Sequence, residues 1–230
     1  MQAILEGLSP LDLVALGWFL FVWCGYSLFV DRLRTDRGHL NSHMGVIRLD
    51  WMRTMVKREN RMLDGMLLGH LINSVSFFAS TTVLLLAGLV GALAAVDQAY
   101  QVIMDIGFAQ RTSRGLFELK LLLLIAILIY GFFKFTWSVR QFNYTVALVG
   151  ATPLEPGEKA EQLAKSAAAM LSLAVIAFNK GLRAYYFAFA TLGWLVHPGL
   201  FIALVTWVTA VLWRRQFASR AHAAVKDYVS

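Results

Sequence analysis

Five runs of mainly apolar residues alternate with shorter polar segments along this 230-residue chain. The runs cover residues 11–30, 66–96, 115–137, 169–196 and 199–214. A helix needs roughly 20 apolar residues to cross the hydrocarbon core of a bilayer, and only the fifth run is clearly shorter. The pattern predicts an all-α fold, a bundle of about five transmembrane helices that forms a single transmembrane domain over residues 1–230.

The longest polar segment separates the first two runs, and it holds eight of the Lys and Arg residues. Within it Ile47, Trp51, Met55, Arg58 and Met62 recur at three- and four-residue spacing, which places them on one face of a helix. A face rich in Trp and Met and flanked by Arg is typical of a cytoplasmic amphipathic helix that lies in the membrane interface. An extension of the second span that packs on its neighbours is an equally open alternative.

Positive charge is distributed unevenly between the predicted loops. Sixteen of the 21 Lys and Arg residues fall in the first loop, the third loop with its flanks and the C-terminal tail. On the opposite side lie only Arg111, Arg114 and Lys120. Because positive residues stay in the cytoplasm, we expect the N-terminus outside and the C-terminus inside. In an alternative topology, residues 185–213 form a re-entrant hairpin, which moves Arg183 toward the cytoplasmic surface.

Composition agrees with an integral membrane protein. The chain is 58% hydrophobic and 15% charged, whereas soluble domains are about a quarter charged. A net charge of +7 is expected where cytoplasmic loops face anionic lipid. The sequence carries no RNA- or DNA-binding motif, so nucleic acid is not a predicted partner. We expect a multi-pass protein of the bacterial cytoplasmic (inner) membrane, in contact with membrane lipids.

The fourth run contains two cations, Lys180 and Arg183, near its centre. A charge at membrane mid-depth costs about 2.5–3.5 kcal/mol on insertion scales. On a helix, Arg183 shares one stripe with Ser172, Asn179 and Tyr186, and Lys180 is rotated by about 100° from Asn179. No Asp or Glu lies in any run at comparable depth. Such a cationic face, lined by hydroxyl and amide groups, suits an anion rather than a proton or a metal cation.

The leading hypothesis is that the protein binds or conducts a small anion through a cavity or pore lined by the fourth span. The cations would attract the anion, the amide and phenol would orient it, and a histidine or lysine from other spans would line the path. The predicted ligand-binding residues are Arg183, Lys180, Asn179, Tyr186, His70 and Lys120. The competing interpretation is that the two fourth-span cations reach helix-end carbonyls, lipid phosphates or the cytoplasmic boundary.

A hypothesis from another class is a non-transporting scaffold or assembly factor that binds lipid or a partner protein through the basic first loop. Five spans leave polar stripes to bury, so we expect a homo-oligomer under either hypothesis. The sequence has no nucleotide loop, nucleophile elbow, zinc motif or haem motif, so no enzyme and no cofactor is predicted. His39 and His43 lack a third ligand nearby, and a metal site is not predicted either.

Three short motifs carry a resemblance to a known family. GLRAYYF covers 181–187 and follows Asn179, RLDW covers 48–51, and SVR covers 138–140. This pattern resembles domain-of-unknown-function family 599, which comprises uncharacterised multi-pass membrane proteins of bacteria and plants. The resemblance extends from the first span to the last. It implies a multi-pass helical protein and supplies no reaction, ligand or site.

Overall fold

The computed structural model describes residues 8–32, 40–107, 109–110, 112–217 and 224–225. The described residues contain seven helices and no strand: α1 Pro10–Arg32, α2 Leu40–Val56, α3 Met62–Ala94, α4 Val96–Met104, α5 Arg114–Ala151, α6 Glu158–Val196 and α7 Pro198–Phe217. The prediction of an all-α fold is confirmed for this part of the chain.

Four of these helices are long and apolar enough to cross a membrane, namely α1 as far as Leu28, α3, α5 and α6. The predicted fifth span, now α7, does not meet that standard. Only 16 residues precede Arg214 and Arg215 in α7, which corresponds to about 24 Å of helix. The hydrocarbon core of a bilayer is roughly 30 Å thick.

The three longest helices exceed the apolar runs that predicted them. They contain 33, 38 and 39 residues, or roughly 50 to 58 Å at 1.5 Å per residue. Helix α5 continues past the predicted end at Trp137, because no proline follows until Pro153. Helix α6 runs from Glu158 to Val196 without interruption, since its Ala-rich first half contains no residue that would end a helix.

A single residue, His197, separates α6 from α7. Pro198 ends α6 because it cannot donate a backbone hydrogen bond, and it suits the first position of the next helix. The backbone N–H of Gly199 donates to His197 Nδ1 over 3.0 Å, so the imidazole caps α7. The two helices therefore form a tight helical hairpin.

The contacts divide the chain into two compact units. Unit 1 comprises residues 1–33, 82–131 and 182–215, and unit 2 comprises residues 34–81, 132–181 and 216–230. Each of α3, α5 and α6 contributes residues to both units, so neither unit is one continuous segment. A single transmembrane domain stays a prediction.

Aromatic side chains from three helices form the centre of unit 1. The Phe19 ring lies 6.0 Å from Phe187 and 5.5 Å from Phe201, and Trp194 stacks on Phe201 at 5.2 Å. All four side chains are buried. Offset and edge-to-face pairs of this kind add to the stabilisation that burial provides, and they join α1, α6 and α7.

Unit 2 is packed closely through small residues of α6. Seven residues of this helix between Ala160 and Ala177 are buried, and six of them are alanine. The Ser138 hydroxyl of α5 donates to the carbonyl of Ala174 over 2.7 Å. A Cβ atom on Gly181 would lie 2.5 Å from Phe135 Cε1, so glycine is needed for this approach. Small side chains allow helix backbones to come together in this way.

Helix α2 packs on α3 and α6 inside unit 2, as expected of a helix that packs on its neighbours. It is not an extension of the second span, because residues 57–61 separate it from α3, and its position in the membrane interface stays a prediction. Its buried face is rotated from the predicted one and comprises Arg48, Met52, Met55 and Val56. Only Met55 belongs to both faces. The pattern was ambiguous because apolar residues lie on both sides of this helix.

Candidate functional site

Arg183, the central residue of the predicted anion site, contacts an aromatic ring in unit 1. It lies half-buried on α6, and its guanidinium carbon is 5.8 Å from the centroid of the Tyr26 ring on α1. Tyr26 is itself buried. A cation over an aromatic face gains about 0.5 to 2 kcal/mol, depending on its desolvation. The contact therefore holds the guanidinium against α1.

Tyr186 follows Arg183 by one helical turn and contacts a second arginine. Arg215 Nη1 donates to the Tyr186 hydroxyl over 2.7 Å, and the Arg215 guanidinium carbon lies 6.0 Å from the Tyr186 ring centroid. Arg215 is exposed near the end of α7. We call Tyr26, Arg183, Tyr186 and Arg215 the tyrosine–arginine cluster.

The tyrosine–arginine cluster lies near the open end of the α6–α7 hairpin. Arg183 precedes Pro198 by 15 residues and Arg215 follows it by 17, distances of about 22 and 26 Å along the two helices. The two arginines are thus at similar heights in unit 1, next to the basic end of α7. Sequence reasoning missed Arg215, which looked like an ordinary loop charge, and Tyr26, whose role depends on the packing of α1.

The remaining predicted residues of α6 and α3 belong to unit 2. Asn179 and Lys180 are half-buried on α6, and the side chain of His70 is exposed on α3. Their part in an anion site stays a prediction.

Lys120, the sixth predicted residue, is buried beside an acid. Its Nζ atom lies 3.5 Å from Asp12 Oδ1 and 5.3 Å from the centroid of the Trp194 ring. Trp194 Nε1 also donates to Asp12 Oδ1, over 2.8 Å. All three side chains are less than 4% exposed. Lys120 therefore has a fixed carboxylate partner inside unit 1.

A capping motif at the start of α1 holds this carboxylate in place. The Ser9 hydroxyl and backbone N–H both donate to Asp12 Oδ2, and the Asp12 N–H donates to Ser9 Oγ over 3.1 Å. The sequence Ser9-Pro10-Leu11-Asp12 is thus a capping box with proline in the first helical position. This signal in the sequence could have located Asp12. Asp12 and Tyr26 are about 21 Å apart along α1, so Lys120 and Arg183 contact different regions of that helix.

The RLDW motif of α2 anchors this helix to its neighbours. Arg48 is 8% exposed, and its Nη1 atom donates to the Ser172 hydroxyl of α6 over 3.3 Å. Burial lowers the pKa of Arg48, because the charged guanidinium loses water. Trp51 Nε1 donates to Oδ1 of the fully buried Asp64 over 2.7 Å, and Arg58 forms an ion pair with the same oxygen.

Two further arginines of the basic loop make contacts within unit 2. Arg53 donates through Nε and Nη2 to Glu161 Oε1, over 2.9 and 2.7 Å, and this carboxylate raises the pKa of Arg53. Arg61 donates to the carbonyls of Thr152 and Pro153. Four arginines of the first loop, Arg48, Arg53, Arg58 and Arg61, therefore make contacts inside unit 2.

Among the residues that the structure describes, no group of three or more His, Cys, Asp or Glu is placed to hold a metal ion. Of the histidine pair singled out in the sequence, His39 lies outside the described residues and His43 is on α2.

Helices of this length and composition define a multi-pass helical membrane protein. A family described as "Protein of unknown function, DUF599" matches residues 14–221. The chain belongs to this family, and the resemblance noted in its motifs is confirmed. No curated protein and no solved structure matches the chain.

Proposed function

We propose that this protein binds a small anion at the tyrosine–arginine cluster and conducts it along a cavity or pore lined by α6. The observation that carries the proposal is the half-buried Arg183 guanidinium, packed on Tyr26 one turn from a phenol that Arg215 contacts. Guanidinium groups offer several N–H donors in one plane, which match the oxygens or lone pairs of an anion. The phenol adds a neutral hydrogen-bonding group.

The proposed topology has five crossings, with α7 as the fifth, the N-terminus outside and the C-terminus in the cytoplasm of a bacterium. The basic end of α7 supports this orientation, because this helix ends in Arg214 and Arg215 and positive residues are generally retained on the inner side. In a core of about 30 Å measured from Pro198, Arg183 would lie roughly 8 Å inside the cytoplasmic boundary. At this depth an arginine reaches headgroups and water more easily than at mid-depth.

The cluster would therefore act as the cytoplasmic entrance of an anion path. Lys120 has a smaller part in this proposal than the sequence suggested, since Asp12 neutralises its charge. Asn179, Lys180 and His70 belong to unit 2, and their part in anion binding stays a prediction from the sequence.

A homo-oligomer is part of the proposal. Only 6% of the most apolar window of α3 is buried inside the chain, although this helix has 33 residues. Its exposed face includes Asn73, Ser74 and Ser80, and polar groups of this kind favour contact with another helix over contact with lipid. Light scattering on the purified protein in detergent would give the number of copies.

Anion flux in proteoliposomes tests the proposed function. We expect chloride or nitrate efflux above that of protein-free vesicles, and a reduction of about 10-fold or more in Arg183→Ala, because charge-assisted contacts contribute roughly 1.5–3 kcal/mol. Arg114→Ala is the matched control, since Arg114 is an exposed cation paired with Asp97 and Glu118. Its flux should stay within twofold of that of the unmodified protein.

The absence of flux at every voltage and pH, with intact assembly of both variants, would contradict the proposal and favour the scaffold hypothesis. The scaffold hypothesis relies on the basic first loop for lipid or protein binding. Arg53, Arg58 and Arg61 are paired with acids or backbone carbonyls inside unit 2, so less of the charge in that loop is available to a partner.

A further inference from the structure

Arg48 is a buried cation, and the hydrogen-bond partner that the structure describes for it is a neutral hydroxyl group. Its side chain is 8% exposed, and among the described residues it makes one hydrogen bond, to the Ser172 hydroxyl at 3.3 Å. No Asp or Glu of the described side chains forms an ion pair with it. Arg48 lies in the middle of α2, so the ends of that helix do not offset its charge.

The other arginines of the same region have stronger partners. Arg53 pairs with Glu161 at 2.7 Å and Arg58 pairs with Asp64, while Arg61 donates to two backbone carbonyls. Arg53 and Arg58 are also more exposed than Arg48. Arg48, the most buried of these four arginines, is thus the one whose described partner is neither an acid nor a backbone carbonyl. Burial of a charge is costly unless an opposite charge accompanies it.

The chemistry around Arg48 suits an oxyanion. A guanidinium has five N–H donors, and the Ser172 contact uses one of them. Ser172 accepts that bond, so its own O–H is left to donate, and no described residue accepts it. A guanidinium beside a hydroxyl donor is a common arrangement for a phosphate group, whose oxygens accept several charge-assisted bonds.

We propose that Arg48 and Ser172 form a phosphate-binding site in unit 2, between α2 and α6. The phosphate is either free in solution or the headgroup of an anionic lipid. This site is separate from the tyrosine–arginine cluster, which belongs to unit 1, and the inference does not depend on the proposed anion path. Bound phosphate would neutralise Arg48 and tighten the attachment of α2 to α6.

Calorimetric titration of the full chain in detergent tests this site, with inorganic phosphate and short-chain phosphatidic acid as separate ligands at constant ionic strength. We expect the unmodified protein to bind at least one of them. Arg48→Gln should lower that affinity by about 10- to 100-fold, since it removes charge-assisted hydrogen bonds. Ser172→Ala should lower it by about 5-fold, because one neutral hydrogen bond is lost.

Arg53→Gln is the matched control, because it removes an arginine of the same helix whose partner is already Glu161. Its phosphate affinity should stay within twofold. Binding of phosphatidic acid alone assigns the site to a lipid headgroup, and binding of inorganic phosphate assigns it to the free ion. The inference is overturned if the unmodified protein binds neither ligand, or if Arg53→Gln loses as much affinity as Arg48→Gln.

Two measurements keep the test decisive if Arg48→Gln fails to fold. Ser172→Ala removes a single atom from α6 and still reports on the site. Arg183→Ala should keep its phosphate affinity at Arg48 even if its anion flux is lost. The two proposals can therefore fail independently.

Discussion

The buried charges of the described residues have partners of very different strength. Lys120 has a carboxylate, an aromatic ring and a rigid helix start around it. Asp64 is fully buried and receives Trp51 and Arg58 on one oxygen. Arg48 has only a hydroxyl among its described neighbours. Each of these charged residues contacts a side chain on a different helix or in the segment after a helix end. These contacts therefore fix how the helices pack against one another.

The Asp12–Lys120 pair gives a prediction at this scale. Lys120→Met should destabilise the protein by about 3 kcal/mol, because it leaves a carboxylate buried without its counter-charge. The double variant Asp12→Asn, Lys120→Met should cost clearly less than the sum of the two single changes, since it leaves no unpaired charge. Denaturant unfolding in detergent measures all three.

Arg114→Met serves as the control for this cycle, because the Arg114 ion pairs are exposed. It should change the free energy of unfolding by less than about 1 kcal/mol. Strict additivity in the double variant would show that the two buried charges do not interact.

At the scale of the helices, the main features are the uninterrupted length of α6 and the close approach of its backbone to α5. Helix α6 has 39 residues, among them two glycines, Gly181 and Gly193, and it has small residues at its contacts. The contact at Gly181 is the closest, because a Cβ there would meet the Phe135 ring at 2.5 Å. Phe135 is itself fixed by stacking on Phe78 at 5.6 Å. The ring has little freedom to move away.

Gly181→Ala should therefore destabilise unit 2 by about 1–3 kcal/mol through overpacking. Gly88→Ala on α3 is the matched control, because a Cβ there meets no atom within 4 Å. The control should be neutral or more stable by up to about 1 kcal/mol, since alanine favours the helix. The melting temperatures of the two variants in detergent check the difference, and equal values would contradict the packing argument.

At the scale of the whole molecule, the proposed topology determines which surface faces the cytoplasm. Four helices meet the requirements for crossing a membrane, and α7 is shorter. A crossing α7 places the tyrosine–arginine cluster near the cytoplasmic side and the Asp12–Lys120 pair toward the outside.

Cysteine labelling in intact cells tests this arrangement. In a Cys24→Ser background, Gln98→Cys should react with an impermeant maleimide, because residue 98 is exposed and lies on the proposed outer side. Glu155→Cys is equally exposed but should react only after permeabilisation, because its loop faces the cytoplasm in the proposed topology. Reversed labelling, or labelling of both positions from outside, would contradict the topology.

The sequence by itself determined the class of protein and the approximate positions of its longest helices. Three local features predict the helices: apolar runs near 20 residues, the lack of helix-breaking residues from Glu158 onward, and the proline at 198. Each acts only on nearby residues, so its effect on a helix can be predicted from the order of residues along the chain. The motifs at 48–51, 138–140 and 181–187 likewise identified the family, which matches residues 14–221.

Only the tertiary structure decided which charges have partners. Asp12 and Trp194 are 182 residues apart in the chain, and no periodicity places them together with Lys120. Arg215 meets Tyr186 because α7 folds back along α6, and the rotation of α2 follows from the surfaces of α3 and α6 that it contacts. The physical reason is that helix formation depends on neighbouring residues, whereas the pairing of charges depends on how distant helices pack.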